Sequence, residues 1–373
     1  MWGIFFVLML TVGICAVIYL TTRFHRFGIF RKIENKHRLL SWILAFLCIA
    51  VIGGGWMYFN FWTSAVVLIH LLAFWGITDL ISFLITKPKN RKVNYNLTGI
   101  FVLLFTTGYL TYGWFTAHRV VPTYYTFETK KNLGTDNFRI AMIADSHLGI
   151  TLDGEKFAVQ MKRIESENPD VVIVAGDFVD DDSRKSDMVR ACKALGEIKS
   201  EYGVYYSFGN HDKGYFDSQR DFTEKELREE LLKNNVKILE DEHEMLNENI
   251  CIIGRQDKRE EQTTGRALIS DIMNSVDNSC YSVVMNHQPN DYKAESESGC
   301  DLVLSGHTHG GHIYPAGFIG LIMGFNDRVY GTENRKVSGD TNFVVTSGIS
   351  GWAIPFKTGT KSEYVIIDVK CEK

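Results

Sequence analysis

The hydrophobic pattern of this chain changes near residue 119. Before that point, Trp2 to Thr22 and Tyr95 to Ala117 carry no charge, and Leu39 to Ile85 carries only Asp79. A membrane-spanning helix needs about 20 apolar residues, so the middle stretch is long enough for two crossings with a turn near residues 58–61. The pattern predicts a transmembrane region, residues 1–118, of four helices at about 2–22, 39–58, 61–86 and 95–117.

The first apolar stretch is interpreted as a membrane span rather than a signal peptide, because no basic residue precedes it and no small-residue cleavage site follows it. Two ionisable residues lie in the third span, where charge is costly and often functional. We interpret Asp79 as interfacial, close to Lys87, and His70 as hydrogen-bonded between helices. Neither residue indicates a transport path.

After a predicted polar linker, residues 119–137, the pattern becomes that of a folded domain, residues 138–373. Short apolar runs rich in Val, Ile and Tyr predict buried strands, and stretches with helical spacing lie between several of them. The predicted strands are Ile140–Ala144, Val171–Ala175, Val204–Phe208, Tyr281–Met285, Leu302–Leu304 and a closing strand Tyr364–Val369. The predicted helices are Phe157–Glu167, Ser186–Lys199 and Thr223–Lys233. This alternation is typical of an α/β domain.

Five short polar motifs stand at the ends of the apolar runs. In open α/β sheets, ligands bind outside the carboxyl ends of the strands, so these motifs are expected to converge. They are Asp145-Ser146-His147, Gly176-Asp177, Gly209-Asn210-His211-Asp212, Asn286-His287 and Gly306-His307-Thr308-His309. Each motif alone is more often an ordinary turn, but five in order along one chain indicate a shared site.

The side chains of these motifs are oxygen and imidazole donors without a thiolate, which suits Mn, Fe or Zn better than a Cys-rich structural zinc site. Seven donors are too many for one tetrahedral ion, and they fit two ions that share a carboxylate. The donors are Asp145, His147, Asp177, Asn210, His287, His307 and His309. Glycines beside three of them fit tight turns that bring the backbone close to the ions.

As a set, the five motifs resemble those of the calcineurin-like metallophosphoesterase superfamily, over about residues 138–370. The run Ser305 to Gly311 and the stretch Val345 to Phe356 are most similar to its YkuE-like and YaeI-like branch, which includes membrane-associated enzymes and lipid-precursor pyrophosphatases. The resemblance implies a four-layer α-β-β-α sandwich. One departure is His312, where this branch would have Gln, and we interpret His312 as facing solvent rather than contacting substrate.

The resemblance also implies a role for each site residue. Two divalent metal ions would be bound, the first by Asp145, His147 and His309 and the second by Asn210, His287 and His307, with Asp177 bridging them. The catalytic pair would be His211, facing the phosphoryl group and assisting the leaving oxygen, and Asp212, holding the His211 ring in orientation.

The expected function is a membrane-anchored phosphohydrolase that cleaves a phosphodiester or pyrophosphate, in a lipid or cell-envelope precursor. Two cations would lower the pKa of a bound water, and the resulting hydroxide would attack phosphorus without a covalent intermediate. His211 would protonate the leaving oxygen, because imidazole titrates near neutral pH. The alternatives are an enzyme acting on a soluble small phosphoester and a non-catalytic membrane sensor. Loss of metal ligands would mark the sensor, and none is missing.

Charge predicts the orientation and narrows the partners. Six basic residues follow the first span, and Lys87, Lys89, Arg91 and Lys92 follow the third, so these loops are expected in the cytoplasm and the catalytic domain on the extracytoplasmic face. Of 40 basic and 44 acidic residues, ten basic and two acidic ones precede residue 119, which leaves 30 basic and 42 acidic after it. An acidic domain lacks the basic surface that nucleic acids require, so the expected partners are the lipid bilayer and a phosphoester, with no nucleic acid.

An apolar, glycine-rich segment at residues 313–325 follows the last metal motif directly. It is expected either to pack as a buried hairpin or to form an apolar lip at the bilayer that admits acyl or polyprenyl chains. Arg328 and Arg335 follow it and are available to pair with a phosphate. The seven cysteines have no close CxxC spacing and predict no disulfide framework.

Overall fold

A computed structural model describes residues 2–87, 93–214, 220–263, 265–337 and 340–372, without the side chains of residues 2–10. The chain divides into two units, Met1–Tyr112 and Gly113–Lys373. The predicted boundary at residue 118 therefore lies six residues beyond the division, within one helix. Three of the four basic residues predicted to follow the third span, Lys89, Arg91 and Lys92, lie outside the described residues.

The first unit is helical. Its helices are α1 (Trp2–His25), α2 (Gly28–Glu34), α3 (Arg38–Trp56), α4 (Phe61–Thr86) and α5 (Tyr95–His118), the last of which continues into the second unit. In the described part of the chain, α3, α4 and α5 are long and apolar enough to cross a membrane. Helix α1 covers the first predicted span, but it is not among these three, so a fourth crossing stays a prediction.

The two ionisable residues of α4 have partners other than those expected. Asp79 forms an ion pair with Arg23 and accepts a hydrogen bond from the Tyr19 hydroxyl at 2.7 Å. His70 is buried, and its Nδ1 lies 2.7 Å from the carbonyl oxygen of Val66, one turn earlier in the same helix. The sequence interpretation of an inter-helix hydrogen bond for His70 is therefore wrong, because the ring finds its partner within α4.

The second unit contains two six-stranded sheets and several helices. Its strands are β1 (Val120–Thr129), β2 (Asn137–Ile143), β3 (Val171–Ala175), β4 (Val204–Ser207), β5 (Val236–Ile238), β6 (Glu242–Met245), β7 (Ile250–Gly254), β8 (Tyr281–Met285), β9 (Leu302–Ser305), β10 (Gly331–Lys336), β11 (Asp340–Val345) and β12 (Ser362–Cys371). Its further helices are α6 (Gly154–Glu165), α7 (Lys185–Gly196), α8 (Glu224–Lys233), α9 (Ile269–Met273), α10 (Tyr292–Glu297) and α11 (Ile319–Ile322). The six predicted strands and three predicted helices are confirmed, with ends shifted by a few residues.

The first sheet has the strand order β1-β12-β2-β3-β4-β5 and the second β10-β11-β9-β8-β7-β6. Strands β2, β3 and β4 run parallel, as do β7, β8 and β9. Parallel neighbours place the residues after each strand at one edge of the sheet. Three of the five polar motifs directly follow β3, β8 and β9, and the other two begin two residues after β2 and β4.

The predicted linker is wrong in its first half, because Val120–Thr129 forms β1. This strand pairs in parallel with β12 over ten residue pairs, from Val120 opposite Ser362 to Thr129 opposite Cys371. It is an edge strand, and an edge tolerates the missing N–H of Pro122.

Alternate residues of the central strands pack into different apolar cores, as expected for strands buried on both faces. Ala141 and Ile143 pack with α6, α7 and α8, whereas Ile140 and Met142 pack with residues of the second sheet such as Val283. Helices α9 and α10 pack on a third cluster with β7, β8, β9 and β11. All seven cysteines are free thiols.

Candidate metal centre

The polar motifs converge where the two sheets present the ends of their parallel strands. Backbone hydrogen bonds join the turns: the Asp145 amide donates to the Gly176 carbonyl at 3.0 Å, and the Gly306 amide donates to the His287 carbonyl at 3.0 Å. Asp145 also accepts a hydrogen bond from the His307 amide at 2.9 Å, which ties the two sheets together at the site. The predicted site residues therefore lie in one cluster.

The first predicted ion-binding set forms a buried group. Its three residues are Asp145, His147 and His309, and each is at most 4% exposed. The Nε2 atoms of His147 and His309 lie 3.1 Å apart, and His309 Nε2 lies 3.9 Å from Asp145 Oδ1. Asp145 Oδ2 is buried without a hydrogen-bond partner among the described residues. Two facing imidazole nitrogens and an unpaired carboxylate oxygen form a set that a cation would satisfy.

The second predicted set lies beside the first. Asn210 Oδ1 lies 3.2 Å from His287 Nε2 and 2.8 Å from His307 Nδ1. His287 Nδ1 is held by the Ala175 carbonyl oxygen at 2.8 Å. This contact fixes the ring so that Nε2 faces the cluster, as outer partners of metal-binding histidines do.

Asp177 lies between the two sets. Its Oδ2 is 3.0 Å from His287 Nε2 and 3.6 Å from His147 Nε2, while its Oδ1 accepts a hydrogen bond from the His211 amide at 2.8 Å. One carboxylate oxygen thus faces a ligand of each set, which is the position that a bridging ligand needs. The role predicted for Asp177 remains a prediction, and the geometry accommodates it.

Backbone strain concentrates at these residues. Five of the seven predicted ligands have a φ in the left-handed region, which residues with a Cβ adopt rarely. They are Asp145 (55°), His147 (35°), Asp177 (52°), His307 (68°) and His309 (49°). Strain of this kind costs about 1–3 kcal/mol per residue and clusters at functional sites. These backbone angles lower the stability of the fold, and they direct the side chains of the predicted ligands into the site.

Glycines beside the ligands are required by close packing. A Cβ at Gly176 would lie 2.6 Å from His287 Nδ1, one at Gly209 would collide with the Asp177 carboxylate, and one at Gly306 would lie 2.7 Å from Asp145 Oδ2. These glycines therefore allow the turns to pack against the predicted ligand side chains, and the close approach of the backbone to the ions remains a prediction.

Burial controls the protonation of several ligands. It lowers the pKa of His307 to about 3 and that of His309 well below its usual value. Both imidazoles are therefore neutral at physiological pH, the form that binds a metal. Burial raises the pKa of Asp145 to about 6, against the opposing effect of His287. For Asp177, burial is outweighed by the neighbouring His287, so the pKa of that carboxyl lies well below its usual value.

The donor set fits a pair of divalent cations. Nitrogen and oxygen atoms of the seven residues meet without a thiolate. Among the described residues, three groups of three histidines and carboxylates each have ligand atoms within 4.8 Å of one another: Asp145, His147 and His309; Asp177, His287 and His307; and His147, Asp180 and His211. This chemistry suits Mn, Fe or Zn. The assignment of the seven predicted residues as the metal ligands remains a prediction, and their positions are compatible with it.

The role predicted for Asp212 is wrong. Its carboxylate is fully buried and accepts hydrogen bonds from four backbone amides, those of Asp177 (2.9 Å), Phe178 (2.8 Å), Val179 (3.0 Å) and Gly209 (2.7 Å). Both of its oxygens are thus used to fix the turns that carry Asp177 and Asn210, so Asp212 stabilises these turns rather than holding the His211 ring.

Asp180 occupies the place that the sequence interpretation gave to Asp212. Its Oδ1 lies 2.9 Å from His211 Nδ1 and its Oδ2 lies 3.0 Å from His147 Nδ1. Asp180 thereby contacts the Nδ1 atoms of both rings. Sequence reasoning missed Asp180, and the available signal was its spacing: it follows the predicted bridging carboxylate by three residues.

Asp180 also sets the charge of His211. Burial alone would lower the pKa of His211, but the hydrogen bond to Asp180 and the negative charge of Asp177 outweigh it and raise the pKa to about 9. His211 is therefore protonated at neutral pH and able to donate a proton or hydrogen bond to a leaving oxygen.

We expect Asp180→Asn to shift the pH dependence of catalysis. A general acid acts only while protonated, so activity is lost as the pH rises through the pKa of His211. Without the Asp180 charge that pKa falls, the basic limb of kcat/KM moves to lower pH, and activity at pH 8.5 drops roughly tenfold.

The check is a kcat/KM profile from pH 6 to 10 with the metal content measured in parallel. Asp182→Asn, at an exposed carboxylate two residues away, is the control, and an unmoved basic limb in Asp180→Asn would remove His211 as the acid.

Two further rings border the site. Trp352 is 42% exposed, with its ring centre 5.6 Å from that of His211 and 6.4 Å from that of His147. The His312 ring lies 5.3 Å from that of His309, and its Nε2 is shielded from solvent. The interpretation of His312 as solvent-facing is therefore wrong, because the backbone turn after Gly311 directs its ring inward. Arg328 and Arg335 both pair with Glu333.

The segment that carries the polar motifs is similar in sequence to known proteins. Residues 138–311 match the family model described as calcineurin-like phosphoesterase. An uncharacterized metallophosphoesterase of Campylobacter jejuni is 30% identical over 253 residues, covering 65% of this chain and 61% of that protein. A transmembrane protein with metallophosphoesterase domain of Danio rerio is 29% identical over 63% of this chain and 54% of that protein. An uncharacterized metallophosphoesterase of Aquifex aeolicus is 26% identical over 66% of this chain and 90% of that protein.

The chain spans 61% and 54% of the length of the first two relatives. The matched segment contains the five polar motifs in order, from Asp145 to His309. Residues 138–311, within the second unit, are therefore similar to calcineurin-like phosphoesterases in sequence.

Proposed function

We propose that this chain is a membrane-anchored phosphohydrolase that uses two divalent cations to cleave a phosphodiester or pyrophosphate bond in a lipid or cell-envelope precursor. The observation that carries the proposal is the position of Asp177, whose Oδ2 faces His287 at 3.0 Å and His147 at 3.6 Å. A carboxylate between two nitrogen-rich groups is suited to two ions rather than one.

Two bound cations would neutralise the phosphoryl oxygens and bring the pKa of a bound water near neutrality. The chain supplies the remaining elements of catalysis. His211, charged through its contact with Asp180, donates a proton to the leaving oxygen. Trp352 provides an exposed aromatic face beside His211 against which a substrate group can pack.

Several finer features belong to this proposal. One apolar core lies between α6, α7, α8 and the first sheet, the second lies between the two sheets, and the third lies between the second sheet and α9 and α10. This order supports the four-layer α-β-β-α arrangement of the YkuE-like branch. The basic residues after the first and third predicted spans favour four crossings and an extracytoplasmic catalytic domain. The acidic excess of the domain argues against a nucleic-acid substrate.

The proposal predicts diester hydrolysis that depends on metal. We expect the full-length chain in detergent to hydrolyse bis-p-nitrophenyl phosphate faster than p-nitrophenyl phosphate. Removal of its ions by a chelator should reduce the rate of diester hydrolysis by at least about 10³-fold, and added Mn²⁺ should restore that rate. The measurement is nitrophenolate release with each substrate, before and after metal removal.

A preference for the monoester would replace the proposal with a phosphomonoesterase. Turnover of neither ester by protein that holds two metal ions would favour a binding role, as in a membrane sensor. A fast diesterase that ignores lipid phosphodiesters would favour a soluble small phosphoester as the substrate.

A further inference from the structure

The segment Tyr314–Phe325, called here the apolar lip, exposes a dense set of large apolar side chains. Seven of them are at least 42% exposed: Tyr314, Phe318, Ile319, Leu321, Ile322, Met323 and Phe325, with Ile322 at 80%. Elsewhere after residue 118, the exposed large apolar side chains of the described residues stand singly along the chain. Soluble proteins rarely expose a contiguous apolar surface unless it binds something.

The apolar lip has regular secondary structure, and its large apolar side chains are nevertheless exposed. A 3₁₀ turn at Ala316–Phe318 leads into α11, and the amides of Met323 and Phe325 donate to the carbonyls of Ile319 (2.9 Å) and Gly320 (2.8 Å). The alternative expectation of a buried hairpin is therefore wrong. No charged residue occurs between His312 and Asp327, and the only polar side chains between them are those of Tyr314 and Asn326.

The base of the apolar lip is bonded to the loop before β12. The amides of Thr358 and Gly359 donate to the His312 carbonyl at 2.9 and 3.0 Å, and the Tyr314 amide donates to Thr358 Oγ1 at 3.1 Å. His312 lies against the predicted metal ligand His309. His312 therefore connects the base of the apolar lip with the metal centre.

The same loop is bonded to the last turns of α5. The Lys357 amide donates to the Gly113 carbonyl at 2.8 Å, and Thr116 Oγ1 donates to the Lys357 carbonyl. The Trp114 and Phe356 rings lie 6.1 Å apart, edge to face. Helix α5 is long and apolar enough to cross a membrane and ends at His118. A bilayer crossed by α5 would therefore have its surface near this loop.

We propose that the apolar lip inserts into the lipid interface around the end of α5 and holds the metal centre at the level of the lipid headgroups. The occupant is the bilayer rather than a second copy of the chain, because the contacts from Gly113 to Thr358 connect the lip with a helix that is long and apolar enough to cross a membrane. Apolar side chains buried at the headgroup boundary are a common means of interfacial binding.

A metal centre held at the headgroup level would favour amphiphilic phosphoesters as substrates, and this part of the inference rests on the proposed function. An amphiphile whose phosphate lies at the headgroup level would reach the cations while its chains stay in the bilayer. A fully water-soluble ester would gain nothing from the apolar lip. The docking itself can be measured without turnover.

The test is photocrosslinking of the full-length chain in vesicles of phosphatidylcholine and phosphatidylglycerol. Benzoylphenylalanine is placed at Ile322 and, as a matched control, at Leu232, which is 56% exposed on α8. We expect lipid adducts at position 322 to exceed those at position 232 by about tenfold. Phe325, 64% exposed, is the second lip position, used if the variant at 322 fails to fold.

Equal lipid adducts at the lip and control positions would overturn the proposal. Adducts at the lip mainly to another copy of the chain would overturn it in favour of a dimer interface. Hydrolysis of bis-p-nitrophenyl phosphate by the same samples separates the two claims. Lipid adducts without hydrolysis would contradict the proposed function alone, and hydrolysis without lipid adducts would contradict the docking alone.

Discussion

Asp177→Ala is expected to reduce phosphodiester hydrolysis by at least about 10³-fold, corresponding to about 4 kcal/mol of lost transition-state stabilisation. Asp177 Oδ2 is the atom that faces a ligand of each predicted set, His287 at 3.0 Å and His147 at 3.6 Å. Its removal takes away the one negative charge that would hold both ions at once. The measurement is kcat/KM for bis-p-nitrophenyl phosphate with saturating Mn²⁺.

Two further variants make this result specific. Asp177→Asn keeps an Oδ1 acceptor for the His211 amide, which donates to it at 2.8 Å, but loses the charge, so a large loss is expected here too. Asp271→Ala removes an exposed carboxylate from α9 and should change the rate less than about twofold. If Asp177→Ala kept more than a tenth of the activity, the bridging role would be wrong.

The largest effect on stability is expected from Asp212→Ala. This substitution leaves the four amides of Asp177, Phe178, Val179 and Gly209 without their acceptor in a fully buried position. Each buried N–H without a partner costs about 1–3 kcal/mol. Partial relaxation leaves an expected loss of roughly 3–5 kcal/mol, which lowers Tm by about 10 °C for a domain of this size. Thermal unfolding followed by near-ultraviolet circular dichroism measures it.

Asp212→Asn distinguishes this account from a catalytic role. The amide keeps one oxygen acceptor and replaces the other with a donor, so an intermediate loss of stability is expected. If Asp212 instead oriented His211, both variants would keep the Tm of the natural chain and change only the pH dependence of catalysis. Asp271→Ala again serves as the control, with an unchanged Tm.

The buried strands could be predicted because burial on both faces leaves a short apolar run bounded by turn residues. Val171–Ala175 and Tyr281–Met285 match the structure at both ends. Strand β1 could not be predicted in this way, because most of it is only partly buried. Its existence depends on pairing with β12, more than 230 residues away in sequence, and no local pattern records that pairing.

The predicted metal-ligand residues were brought together because each motif directly follows a strand or lies within two residues of its end. The different roles of Asp180 and Asp212 could not be predicted from which residue is next to His211 in the sequence. Asp212 follows His211 in sequence, yet its carboxylate turns back into the backbone of the site, while Asp180 reaches the His211 ring from another turn. Side-chain direction in strained turns depends on backbone angles that the residue order does not reveal.

The membrane region shows a similar limit. Length and apolar composition identify α3, α4 and α5 as candidate spans, but they do not identify the partners of ionisable groups inside the helices. Asp79 pairs with Arg23, in the last turn of α1, rather than with Lys87, eight residues away. Contacts between helices decide such pairings.

The measurement that tests the two-metal account most directly is the count of tightly bound metal ions in the purified full-length chain, by inductively coupled plasma mass spectrometry, beside Asp177→Ala. The account predicts two ions per chain in the natural protein and at most one in the variant. One ion per chain in the fully active protein, or two ions retained by Asp177→Ala, would contradict it.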